Sequence, residues 1–180
     1  FTTTDDGSPF KLDYPTYMCL DRDVDKRRAK LSRMLLRQAG DLSLDDVERL
    51  AFDTLLYWPM NELPRLRLDY ARLEQTNSEL ASRVRPYFEH FHGWDCRITP
   101  DCTRSPLCAA WYEELYGFGY PAETLKREYQ ENPDKRFEAL IAAAKKLQDN
   151  YGTWQPKWGD IYRIQRHTNI SDLLKLPLSD

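Results

Sequence analysis

The residues whose types suit chemistry are four cysteines, three histidines and several groups of carboxylates. Cys96, Cys102 and Cys108 follow one another six residues apart, and Cys19 stands by itself nearer the N-terminus. That interval differs from the two-to-four-residue gap of common zinc knuckles, yet His90 and His92 lie just upstream and leave a Cys/His metal site open. A disulfide closing the irregular stretch, Cys96 with Cys102, is the favoured reading and would imply an oxidising compartment. Free buried thiols are the third reading, and Cys108, within a helix, suits it. A histidine base needs a nucleophile and an orienting acid, and neither a GxSxG elbow nor a Cys/His signature accompanies His90, His92 or His167. Surface or structural roles are expected for all three. Asp5-Asp6, Asp21/Asp23/Asp25 and Asp45-Asp46 lack the glycine and ligand spacing of a calcium loop, so they read as caps and solvated faces. Taken as chemistry alone, these residues name no active site.

The elements that would position them are mostly helices. The chain has 180 residues, 41% of them hydrophobic and 31% charged, with only 7 glycines, which suits one helical domain with a real core. A net charge of -3 argues against a broad nucleic-acid footprint. The basic cluster Lys26, Arg27, Arg28 and Lys30 follows three aspartates and reads as a solvated helix face. No apolar run approaches the roughly 20 residues that span a bilayer, and no secretory signal is visible. Residue 1 is Phe, and the tail LLKLPLSD has no cap, so the sequence reads as a piece cut from a longer product.

Residues 1–20, rich in Thr, Asp, Ser and Pro, are expected to form a loop or extended segment, 21–152 a helical subdomain, and 153–180 a Trp-rich tail. The organising stretch is Arg28–Thr54, two amphipathic helices joined at Gly40. Ser43 and Asp46 form a capping box for the second, with Val47, Leu50, Ala51, Thr54, Leu55 and Trp58 as its buried stripe, to be ended by Pro59. Leu63, Leu66, Tyr70 and Leu73 mark a third helix. Leu80, Val84, Phe88 and Phe91 mark a fourth, capped by Asn77. After the irregular stretch 92–104, Ser105-Pro106 restarts a helix through Tyr116, and a short one follows over Ala122–Gln130. Asn132-Pro133 opens the helix of Phe137, Leu140, Ile141, Ala144, Leu147 and Tyr151, ended by Gly152. One strand is expected at Ile161–Gln165.

Several landmarks resemble the beta chain of penicillin-acylase-like N-terminal nucleophile hydrolases. Ser8-Pro9 followed by Asp13-Tyr14-Pro15 is similar to the family's Asn-x-x-Pro...Tyr-Pro region. The Arg28-Ala29...Leu35-Leu36 helix and Leu42-Ser43-Leu44-Asp45-Asp46 follow in order, and Trp158-Gly159-Asp160-Ile161-Tyr162-Arg163 resembles the family's strand entry. The resemblance implies that a mainly α chain is the helix-rich insert of a larger αββα sandwich, packed on its core and helping to wall the acyl pocket with the aromatic stripes of residues 50–91. It implies an amidase or acylase that releases an acyl group from a small-molecule amide, with an N-terminal nucleophile lying outside these residues. Arg28 matches the arginine that supports the oxyanion site, while Asp6 falls nearest the family's oxyanion asparagine and would repel an oxyanion when ionised. The expected partners are the alpha and beta segments of the parent, with no nucleic acid and no membrane, and the expected location is periplasmic or secreted. No organic cofactor is implied; the family's structural calcium has no ligand set identifiable here. The fragment by itself would be inactive. The alternative is a stand-alone helical interaction module without catalysis.

Overall fold

The computed structural model describes residues 27–117 and 126–162, without the side chains of Arg27, Arg28 and Arg127. The described residues are mainly helical, as the apolar periodicities predict, and form no strand beyond one isolated bridge. Helix α1 (Arg27–Ala39) and α2 (Leu44–Ala51) make the expected hairpin. Gly40 turns between them at φ +64°, a backbone conformation in which a Cβ would be strained. The capping box of α2 is complete: the Asp46 N–H donates to Ser43 Oγ at 3.2 Å, and the Ser43 N–H donates to Asp46 Oδ2 at 2.9 Å.

The hairpin ends earlier than the periodicity suggests. Asp53 accepts the Leu55 N–H at 2.8 Å and pairs with Arg97, an Asx-type turn that takes the chain out of helix after Ala51. The following residues run extended beside the irregular stretch, with an antiparallel bridge between Leu55 and Arg97. The expected stripe of α2 is corrected with it: no α2 residue is buried, and Val47 is 49% exposed. Pro59 does not end a helix but lies in the first turn of α3 (Tyr57–Thr76), where its missing N–H costs nothing.

Leu63, Leu66, Tyr70 and Leu73 of α3 are all buried, as their spacing requires. Leu66 and Leu73 are fully enclosed, each contributing about 1.5–3 kcal/mol. Asn77 joins α3 to α4 (Ser78–His90) and caps α4 by accepting the Leu80 N–H at 3.1 Å. Helix α5 (Arg104–Tyr116) follows the irregular stretch, then the single turn α6 (Arg127–Glu131) and α7 (Asp134–Tyr151). Pro133 rather than Asn132 occupies the cap position of α7, while Asn132 accepts the Asp134 N–H from one residue further out.

Helix α7 packs on α5 and α4, α4 on α3, and α3 on α1. Trp111 and Phe137 are fully buried at the centre, and the rings of Tyr70 and Phe88 stack 4.0 Å apart. At the C-terminal end, Ile161 lies in a helical turn, α8 (Trp158–Ile161), rather than in the expected strand, whose remainder from 163 falls outside the described residues. The turn is tied to the irregular stretch by Trp158 N–H to Cys102 O (2.9 Å) and Gly159 N–H to Pro100 O (2.8 Å). The approach is so close that a Cβ at residue 159 would sit 3.1 Å from the Pro100 carbonyl, which accounts for the glycine.

Candidate functional site

Arg28 is the second residue of α1, and its side chain lies outside what the structure describes. Asp6, the Asp13-Tyr14-Pro15 segment, Cys19 and His167 also lie outside the described residues. What the structure does define is the face of α1 just beyond Arg28. Lys30, Arg33 with Met34, and Arg37 with Gln38 succeed one another at three- and four-residue steps, so successive turns present them along one side of the helix. Opposite them stand Tyr57, Met60 and Asn61 from the first turn and a half of α3. These eight described residues line an open, solvent-facing cleft of about 510 Å³.

The cleft has a cationic rim and an apolar floor. Among the described residues none of its lining is acidic, and three lining residues are lysine or arginine. Lys30 and Arg37 are exposed and make no ion pair among the described residues. Met60 is half-buried against the hydrophobic core, and Asn61 is held by its Nδ2–H donating to the Tyr57 carbonyl at 2.6 Å. Leu56, at the cap position of α3, offers no side-chain acceptor, so the positive end of that helix's dipole is not neutralised by a cap. Such an arrangement can attract an anionic group while sheltering an apolar one.

Elsewhere the sequence candidates take structural roles. Asp46 serves its cap, and the Ser43 side-chain and backbone bonds together with Arg49 hold its carboxyl down to about 2. His90 Nε2 lies 3.2 Å from Thr103 Oγ1, within nucleophile-to-base distance, but no carboxylate orients the imidazole among the described residues. Burial holds its pKa below the ordinary value, with the Arg104 charge acting in the same direction. Trp154 packs edge-on at 5.2 Å, and Arg104 Nε–H donates to the His90 carbonyl at 2.8 Å. His90 thus pins the end of α4 to the start of α5. His92 is exposed and its ring meets Phe88.

The expected disulfide is not formed: Cys96, Cys102 and Cys108 are free thiols. Backbone bonds hold the irregular stretch instead, with Cys96 O accepting the Leu56 N–H and Cys102 O accepting the Trp158 N–H. Complete burial pushes the Cys108 thiol well up, which makes it a poor nucleophile. Among the described residues, no group of three or more His, Cys, Asp or Glu side chains is placed to hold a metal ion, and no helix is long and apolar enough to cross a membrane. The aromatic residues Tyr70, Phe88 and Phe91 fill the core of these helices, and Phe52 is 77% exposed.

One group escaped the sequence reading. Glu62 is buried and pairs with Arg136, which also faces Asp69 at 3.5 Å. The signal was present: Pro59, Glu62, Leu63 and Leu66 share one stripe, and a carboxylate inside an apolar stripe requires a cationic partner.

Against known proteins, the penicillin amidase family profile matches residues 2–179. No curated protein and no solved structure matches the chain significantly.

Proposed function

The chain belongs to the penicillin amidase family, and from that premise we propose that it is part of an amidohydrolase that cleaves an acyl amide and releases the acyl group. The family match, which runs through nearly the whole sequence, carries this reading. In the proposed reaction an N-terminal Ser, Cys or Thr, lying outside these residues, attacks the amide carbonyl. Its own α-amine, with an ordinary pKa of roughly 7.7–8.0, takes the proton. The C–N bond breaks as that proton passes to the leaving amine, and water then hydrolyses the acyl-enzyme. Arg28 is assigned to support of the oxyanion site, as a positioning residue, and Asp6 to the position of the family's oxyanion asparagine. The helices described above would pack, in this reading, on an αββα sandwich supplied by the other segments of the protein. A periplasmic or secreted location is proposed with it.

The test is hydrolysis of a panel of acylated chromogenic amides by the full-length protein, beside Arg28→Ala. Self-cleavage and turnover are expected, with kcat lower in the variant by at least about tenfold and KM little changed, because the lost interaction serves the transition state. Turnover indifferent to Arg28→Ala would remove that residue from the site. An uncleaved protein inactive on the whole panel would instead favour a helical interaction module.

A further inference from the structure

We propose that the cleft between α1 and α3 binds an organic carboxylate with an apolar chain, the class of acid that amide cleavage releases. The choice of the released acid rests on the acylase reading; the cleft itself does not. Its volume of about 510 Å³ lies within the range of small-molecule sites. Lys30 and Arg37, which have no ion-pair partner among the described residues, stand two turns apart on its α1 side. A carboxylate between them would gain charge-assisted hydrogen bonds, bidentate from the arginine. Met34 and Met60 supply deformable apolar surface, which suits a flexible chain better than a rigid polar ligand. The Tyr57 ring and the Asn61 amide complete the wall. A bare inorganic anion would leave the two methionines without use, and a neutral amide would leave the two cations without use.

Decanoate is the probe, titrated calorimetrically into the full-length protein beside decanamide and inorganic phosphate. Lys30→Gln/Arg37→Gln is the charge variant and Met34→Ser/Met60→Ser the floor variant. Lys30 and Arg37 are exposed, so the charge variant is expected to keep its helical circular dichroism. Decanoate should bind at least tenfold more tightly than decanamide, and lose at least tenfold in the charge variant and in raised salt. The floor variant should weaken decanoate while leaving any phosphate binding unchanged. Equal affinity for decanoate and decanamide, or decanoate binding untouched by the charge variant, overturns the proposal. Phosphate competing as well as decanoate overturns the apolar part of it. Amide hydrolysis is measured separately. Decanoate binding without turnover would leave the cleft standing and defeat the acylase reading, whereas turnover without decanoate binding would do the reverse.

Discussion

Replacing Arg136 with methionine tests whether the buried pair joining α3 to α7 holds these helices together. The Glu62 and Arg136 side chains are only 10% and 13% exposed, so neither can recover its hydration when the other is removed. Arg136→Met leaves Glu62 enclosed without a cation and leaves Asp69, 3.5 Å from the lost guanidinium, as a second carboxylate nearby. Breaking one side of such a pair costs about 3–5 kcal/mol. For a chain of this size that corresponds to a fall in melting temperature of about 6–20 °C. The loss should depend on pH. The stranded Glu62 gains stability by taking up a proton, so its folded pKa in the variant lies above the unfolded value. Stability then declines as pH rises through that window, and the deficit at pH 7 exceeds that at pH 4. Arg136 Nε has no hydrogen-bond partner among the described residues, so the native pair is imperfectly satisfied. Glu62→Leu/Arg136→Met should therefore recover most of the stability. Urea unfolding at both pH values measures all three quantities. A single variant within about 1 kcal/mol of the parent at pH 7, or a double variant as unstable as the single, would refute the reasoning.

Two further outcomes follow from the same structure. Because His90 is held neutral by burial, its folded pKa lies below the ordinary 6.5, so it contributes its full stability above 6.5 and loses it as pH falls toward the folded pKa. The urea midpoint should drop across that range together with a change in tryptophan emission from the Trp154 contact, and His90→Gln should flatten both. Ser43→Ala removes the capping box and costs α2 about 1 kcal/mol. Since α2 buries no residue, the effect should show as roughly fivefold faster amide exchange in that helix with little change in global melting.

The core was legible because its spacing repeats. Leu63 to Leu73 and Leu80 to Phe91 each present one buried apolar face, and so do Phe137, Leu140, Ala144 and Leu147, whereas Ile141 of that last stripe is half-buried and Tyr151 at its end is 48% exposed. Local chemistry was equally readable at Ser43, Asn77 and Gly40, where the side chain or the φ angle alone decides the outcome. Several of the misses share a cause, a partner distant in sequence. Asp53 leaves the helix because Arg97, 44 residues on, receives it. Glu62 is tolerated because Arg136 faces it. The Cys96–Cys102 reading weighed two sulfurs against each other and could not see that backbone groups from residues 56 and 158 would hold the stretch. The cleft was missed for the same reason. Lys30 reads, with Lys26, Arg27 and Arg28, as part of a solvated face until α3 is laid beside it, Arg33 and Arg37.

The two walls of that cleft differ in how firmly they are held, and the difference bears on function. Helix α3 inserts Leu63, Leu66, Tyr70 and Leu73 into the core and cannot move without opening it. Among residues 29–39 of α1, by contrast, none is fully buried; Leu31, Met34 and Leu35 are half-buried and Leu36 is 51% exposed. Helix α1 rests on α3, and α2 beyond it adds no buried side chain. The hairpin therefore sits at the low end of local stability, where segments open without global unfolding. A ligand bridging Lys30 and Arg37 to Met60 would tie the loosely held wall to the fixed one, so binding should slow amide exchange in α1 more than in α3. Arg28 begins the same helix. If α1 shifts when the cleft fills, the residue assigned to oxyanion support shifts with it, and occupancy of the cleft by released acid becomes a physical route to product inhibition.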